Sequence, residues 1–413
     1  MRGRGLSRRS FLKGSLASAA LPFFFDPRAA GGAQGPGPSP LLLVVFLRGG
    51  ADGLGLLPPV GDPQLARLRP SLVPKGALAF GAAADGTEFA LHPSLAPLLP
   101  YAESGALAAF PSVGLLQPVR SHFDAQDLCE RGGAPADAPV PGWLARVLTA
   151  TGATAPLQSV AAVPSRPLAL SGDPAAMAFE RIEDLRSPGR SRAASEALAW
   201  MTRPLPGERP DAPAARIARV ARQALGAVDR VHHRAPRAAS LSSGPDFPRG
   251  PLGTRFATVA RLVEADLGLV AAWIDAEGYD THVRQGAERG ALANRLTELA
   301  GGLDGLARRL GHRFEDLLVL VVTEFGRTAR PNGSGGTDHG RGGVALAMGG
   351  ALATSGIASP WPGLEDAALA DGRDVAVTTD LRAVLALGAR HLGVTDADSI
   401  FPGWRGASEA LQG

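Results

Sequence analysis

A small set of polar residues has the types and neighbours that could do chemistry. Asp52 lies in Gly49-Gly50-Ala51-Asp52-Gly53, and Ser121 in Arg120-Ser121-His122. Asp280 and His282 share Gly278-Tyr279-Asp280-Thr281-His282. Glu324 and Arg327 share Thr323-Glu324-Phe325-Gly326-Arg327-Thr328. Asp338 and His339 sit in Gly335-Gly336-Thr337-Asp338-His339-Gly340. Carboxylates mixed with imidazoles suit zinc, manganese or a similar divalent ion. A serine that opens a helix has backbone N–H groups and a positive dipole end beside it, where a nucleophile would meet a phosphate or sulfate group. A neighbouring metal would lower the pKa of that hydroxyl and neutralise charge in the transition state. Arg327 could clamp the same anion through two parallel hydrogen bonds.

Each residue also has an ordinary reading. Asp52 between glycines suits a turn. Ser121 is a good helix N-cap without any chemistry. Asp280 and His282 read equally as a surface turn, and Asp338-His339 as a polar loop between glycines. Glu324 is harder to dismiss, because a carboxylate abutting an apolar strand needs a partner. Elsewhere, His232-His233 reads as solvated, and His92, before Pro93, as packing. His312 and His391 fall near helix ends, where positive charge is favoured anyway. Cys129 has no evident base beside it and reads as packing.

Elements must bring these residues together. Leu41–Leu47 is a continuous apolar run ending at Arg48-Gly49-Gly50, which suits a central strand buried on both faces. Leu107–Val113, Leu168–Leu170, Leu269–Ile274, Leu317–Val322 and Val344–Met348 read as further strands. Helical patterning covers Ser121–Glu130, Phe256–Leu267, Leu292–Leu310 and Asp380–Leu392. The alternation predicts an α/β fold with a mostly parallel central sheet flanked by helices. Residues 182–250 depart from it and read as a helical insertion or cap, with helical stretches at Ala194–Met201 and Ala214–Val231. The polar residues follow predicted strands or, for Asp338 and His339, precede one. In an open α/β sheet ligands bind outside the carboxyl ends of the strands, so five loops should meet at one edge.

The motifs FLRGGADGL, RSHFDAQD, GYDTH, TEFGRT and NGSGGTDHGRGG, in that order, resemble those of the domain of unknown function 1501 family, over roughly Leu41 to Gly403. That family is similar in fold to the alkaline phosphatase and sulfatase superfamily. The resemblance implies an alkaline-phosphatase-like α/β domain with one or two metal ions, zinc by preference, at the strand carboxyl ends. It implies that Asp52 bridges metals, that Ser121 is the nucleophile, and that Asp280 and His282 are a metal pair. Glu324 stands where a metal-binding Asp usually ends its strand, and His339 resembles the late metal histidine; Asp338 or Arg327 would support the set. Phe325 is a departure, since the superfamily has a metal-binding His there. One metal is then short of a ligand unless His122 or Asp338 substitutes, and a one-metal site or an inactive relic follows.

The beginning of the chain points to an exported protein. Arg8-Arg9 precede Ser10-Phe11-Leu12-Lys13 and a short apolar run to Phe25, the twin-arginine signal pattern. The run is far shorter than the ~20 apolar residues of a membrane-spanning helix. The expected layout is a signal peptide over residues 1–33, a Gly/Pro-rich tether over 34–40, and one domain over 41–413. A periplasmic or secreted location follows, with the twin-arginine translocase as partner during export. One cysteine in 413 residues rules out an intramolecular disulfide, so the core must hold the fold, and 45% hydrophobic residues give it ample material. The net charge of +3 comes without long basic blocks, and no nucleic-acid partner is expected. An exported redox protein is poorly matched, for lack of a Cys cluster or a Gly-x-Gly-x-x-Gly after a strand. Two functions stand: a metal-dependent hydrolase of a small anionic phosphate or sulfate ester, and a non-catalytic scaffold that binds an envelope protein.

Overall fold

The computed structural model describes residues 40–404, except 136, 154, 156, 186–225, 227, 232–233, 235–246, 351 and 353. The expected signal peptide and all of the tether but its last residue lie outside the described residues. So do the Ala194–Met201 stretch and all but the last turn of Ala214–Val231.

A nine-stranded sheet forms the centre, with strand order β10-β4-β9-β8-β1-β7-β5-β6 and β11 paired to β4. In chain order β1 is Leu41–Leu47, β4 is Leu107–Gly114, β5 is Ser159–Ala161 and β6 is Met177–Ala178. β7 is Ala271–Ala276, β8 is Leu317–Thr323, β9 is Gly343–Met348, β10 is Gly356–Ile357 and β11 is Thr379–Asp380. A separate hairpin pairs β2, Leu78–Ala82, with β3, Glu88–Leu91. β1 lies between β7 and β8 and is parallel to both, with Leu42 opposite Ala271 and Leu41 opposite Leu317. β9 pairs antiparallel with both β4 and β8, so it alone runs against its neighbours. The sheet is therefore mostly parallel, as the sequence pattern implies. The reversal of β9 also puts its start, just after His339, at the carboxyl edge of the parallel strands.

Alternate residues of β1 serve two cores. Leu41, Leu43, Val45 and Leu47 face helices Pro251–Glu264 and Ala291–Leu310. Leu42, Val44 and Phe46 face helices His122–Glu130, Trp143–Thr151 and Leu381–His391. Period-two alternation on a strand buried on both faces explains why LLLVVFL has no polar position. Each fully buried Leu or Phe contributes about 1.5–3 kcal/mol relative to exposure, which holds the sheet edge rigid without disulfides.

Leu168–Leu170 is a short 3₁₀ turn and not the expected strand. Three apolar residues after Pro167 cannot make a strand without a neighbour to pair with. The strand on that side is Ser159–Ala161, which pairs with β7.

Candidate metal centre

Two close backbone approaches shape the carboxyl edge. Gly49 has φ +117, and a Cβ there would stand 2.4 Å from the backbone nitrogen of Asp280. A Cβ on Gly336 would stand 2.3 Å from the carbonyl oxygen of Thr281. Only glycine lets the first loop and the 335–340 loop lie this close to the 279–282 segment.

Arg327 ties the same loops together. Its guanidinium is fully buried. It donates to the carbonyl oxygens of Gly49, Gly50, Tyr279 and Thr337 and to Asp280 Oδ1. Arg327, expected to clamp an anion, spends these hydrogen bonds on the protein's own loops.

Three histidines and one aspartate meet at this edge. His122 opens helix His122–Glu130, His282 follows β7, and His339 precedes β9. Each imidazole is anchored through Nδ1. His122 Nδ1 is 2.8 Å from Glu324 Oε1, His282 Nδ1 is 3.0 Å from Asp338 Oδ1, and His339 Nδ1 is 2.8 Å from the Arg120 carbonyl oxygen. A carbonyl or a carboxylate only accepts, so each Nδ1 carries the proton. In the neutral rings each Nε2 then presents a bare lone pair.

The three Nε2 atoms turn toward Asp280. His282 Nε2 and His339 Nε2 lie 3.0 and 3.3 Å from Asp280 Oδ1, and 2.9 Å from each other. His122 Nε2 is 3.6 Å from Asp280 Oδ2, is buried, and makes no hydrogen bond. In neutral rings these lone pairs and the carboxylate repel, and either a metal ion among them or a proton on an Nε2 relieves the repulsion. The donor set therefore fits a divalent ion, with His122, Asp280 and His339 grouped tightly enough to bind it and His282 beside them.

The remaining predicted residues fall in other places. Glu324, fully buried, takes His122 Nδ1, Gln126 Nε2 and the Gly49 N–H on Oε1 and Thr323 Oγ1 on Oε2. Expected as a metal ligand, it stands behind His122 and outside the group formed by His122, Asp280 and His339. Asp338 likewise anchors His282, with Asn332 donating to the same oxygen at 2.9 Å. Asp52, expected to bridge metals, pairs with the buried guanidinium of Arg69 at 2.7 Å and accepts from Gln285 at 2.6 Å. Ser121 caps its helix, and its Oγ accepts from the Asp124 N–H at 3.5 Å, a long bond that leaves the hydroxyl weakly held. The serine is exposed and lies between His122 and the Arg120 carbonyl that anchors His339.

Phe325 is buried as an apolar wall. Its ring centroid is 4.9 Å from those of both His122 and His339. Sequence reasoning named His122 only as a substitute, although the structure gives it an Nε2 turned into the cluster. Its signal was present: His122, Gln126 and Glu130 repeat every four residues on one helix stripe.

Electrostatics fit a cation site. Burial is the largest single influence on Asp280 and disfavours its charge, but the Arg327 guanidinium together with His282 and His339 outweighs it and holds the carboxyl below its usual range. The hydrogen bond to Glu324 makes the His122 ring more basic, whereas burial makes His339 less so. Asp338 is held low, first by the hydrogen bond from Asn332.

No curated protein matches the chain. Solved structures similar to it include two of related description. One is the C-terminal periplasmic domain of EcEptC from Escherichia coli in complex with Zn, 8% identical over 76% of this chain and 74% of that one, with a TM-score of 0.36. The other is the PsFucS1 sulfatase from Pseudoalteromonas sp., 12% identical over 90% of this chain and 72% of that one, with a TM-score of 0.39. A family model matches residues 75–400, and by that match the chain belongs to the DUF1501 family, described as protein of unknown function.

Proposed function

We propose that the protein is an exported hydrolase of phosphate or sulfate esters that depends on one divalent ion, zinc by its donor set, with Ser121 as nucleophile. One observation carries this reading: three imidazoles fixed through Nδ1 turn their Nε2 atoms toward Asp280. His122, His282, His339 and Asp280 would hold the ion. When bound, the ion would supply Lewis acidity and lower the pKa of a nearby hydroxyl.

The chain's own residues do the rest. Ser121 Oγ forms a bond to the phosphorus or sulfur, and the alcohol leaves as the ester bond breaks. Water then cleaves the seryl ester, freeing the anion and restoring the hydroxyl. The first-turn N–H groups of helix His122–Glu130 face the serine and receive the anion's oxygens. Glu324 and Asp338 keep the rings of His122 and His282 in one tautomer.

A second reading is favoured by the inward commitment of Arg327: a metal-holding scaffold of the cell envelope that recognises another protein and no ester. One experiment separates the two. The mature chain is purified without chelator, its metal counted, and hydrolysis of p-nitrophenyl phosphate and p-nitrophenyl sulfate measured for wild type and Ser121→Ala. One equivalent of metal, with activity falling about a thousandfold or more in the variant, supports the hydrolase. Metal without turnover of either ester moves the protein to the scaffold reading. No metal sinks both.

A further inference from the structure

A partly buried polar chain runs away from the candidate metal centre. Glu324 Oε1 accepts from Gln126 Nε2 at 2.9 Å as well as from His122 Nδ1. The other end of the same amide, Gln126 Oε1, accepts from Arg48 Nη1 at 3.0 Å. Arg48 is held in turn by Glu130 at 2.6 Å and by Asp275 at 3.0 Å. Asp275 is itself fixed by the indole N–H of Trp273 at 2.8 Å.

The direction of this chain is chemically determined. A guanidinium only donates, so the Gln126 carbonyl must face Arg48 and its amino group must face Glu324. Glu324 therefore receives a hydrogen, is kept as an acceptor, and leaves the His122 proton on Nδ1. With Arg48 absent, the Gln126 carbonyl loses the donor that fixes its side chain, and the amide no longer braces the Glu324 oxygen that receives the His122 Nδ1 proton.

The helix provides the geometry. His122, Gln126 and Glu130 recur at intervals of four, one above another on a single face. Arg48 is the first residue beyond β1, and its backbone N–H is bonded to the Ala276 carbonyl. The strand end thus presents one guanidinium to two residues of that stripe. Arg48 also lies over the Phe46 ring, 4.4 Å from its centroid, which limits its freedom to swing away.

We infer that Arg48 and Gln126 are positioning residues for the metal centre, acting through Glu324 to lock His122 in its metal-binding tautomer. The inference rests on the metal-site reading above. It goes beyond that reading by assigning a role to two residues that touch neither the ion nor the substrate.

The test is cobalt(II) affinity of the full mature chain, read from the visible absorption of the bound ion in competition with a chromogenic chelator. Four proteins are compared: wild type, Gln126→Met, Arg48→Met and the double variant. Thermal melts run alongside. Gln126→Met should weaken cobalt(II) binding about 10–100-fold, the range for loss of an outer-shell partner, with an altered spectrum and an unchanged melt. Arg48→Met should weaken it comparably, with no further loss in the double variant, because both act through one amide. Arg48→Met also leaves Glu130 and Asp275 unpaired, so a lower melting temperature is expected there, and Arg48→Lys is the rescue. Lysine keeps a donor for the Gln126 carbonyl and should restore cobalt(II) affinity to within a few fold of wild type.

Gln126→Met binding cobalt(II) within twofold of wild type overturns the inference. So does an Arg48→Met effect that persists undiminished in the Gln126→Met background, because that effect would be structural. Wild type that takes up no cobalt(II) overturns the metal-site reading itself, and the inference falls with it. The two failures are told apart by the wild-type titration alone.

Discussion

Asp52 and Asp280 look alike in the sequence, each a carboxylate among glycines or turns beyond an apolar strand. Their surroundings separate them. Asp52 is 1% exposed against an Arg69 side chain that is 0% exposed, whereas Asp280 is 46% exposed among imidazoles. Truncating Asp52 leaves a buried guanidinium without its partner, which destabilises by about 3–5 kcal/mol. Asp52→Ala should therefore lose stability in urea and, where folded, still bind metal. Asp280→Asn should do the reverse: metal binding is lost, while the unfolding free energy compared in metal-free buffer changes by no more than about 0.5 kcal/mol. Asn keeps an oxygen for Arg327, which also has four backbone carbonyls. Loss of metal in both variants with unchanged stability in both would refute the assignment. The same comparison explains what was legible at this scale. Residue types and their loops were readable from the motifs, but ligand and anchor are told apart only by which atom faces which neighbour. Glu324 lies behind His122 for that reason, and Arg69, far from any motif, gave no hint that it would pair with Asp52.

Long apolar elements were readable to within a residue or two, because burial on both faces removes polar positions from all of β1 and from β8 up to its last residue, Thr323. Short ones were not. β5 has three residues, and the β2–β3 hairpin is built on Leu-Ala-Phe-Gly-Ala, with little to distinguish it from a loop. The antiparallel sense of β9 depends on its partners and leaves no mark in its own residues. The closing helix, Leu381–His391, carries a testable consequence. His391 Nε2 lies 3.1 Å from the Leu41 carbonyl oxygen and 3.0 Å from that of Asp316, pinning the helix end to the starts of β1 and β8. Burial pushes its pKa down. The unfolded chain then binds this proton more readily than the folded one, from the ordinary histidine value near 6.5 downward. Stability from this group is complete above about pH 6.5 and is lost as pH falls toward the depressed folded value. His391→Gln, which keeps an N–H donor but does not titrate, should show a shallower loss between pH 7.5 and pH 5.5 in urea melts. Equal losses in the two proteins would show that His391 is not an acid-sensitive pin.

Across the whole molecule, the sheet order converts distance in sequence into proximity. β4, β9, β8, β1 and β7 are neighbours in the sheet, so loops from residue 49 to residue 339 share one edge. The four candidate ligands come from three separate segments around residues 122, 280–282 and 339. Local pairs do not produce such a site; it exists only in the assembled fold. An ion held there binds the native state and not the unfolded chain, and it must stabilise the whole domain by mass action. At a free zinc concentration 100 times the dissociation constant the gain is about 2.7 kcal/mol, and it should grow by about 1.4 kcal/mol for each further tenfold. Thermal or urea unfolding of the mature chain should therefore shift upward with added zinc and return with chelator. Asp280→Asn should show no shift at the same zinc concentrations, because the carboxylate facing the three imidazoles is gone. Equal shifts in wild type and Asp280→Asn would mean that zinc stabilises the fold from another place. A shift confined to wild type, together with a single bound equivalent, ties the three segments to one ion.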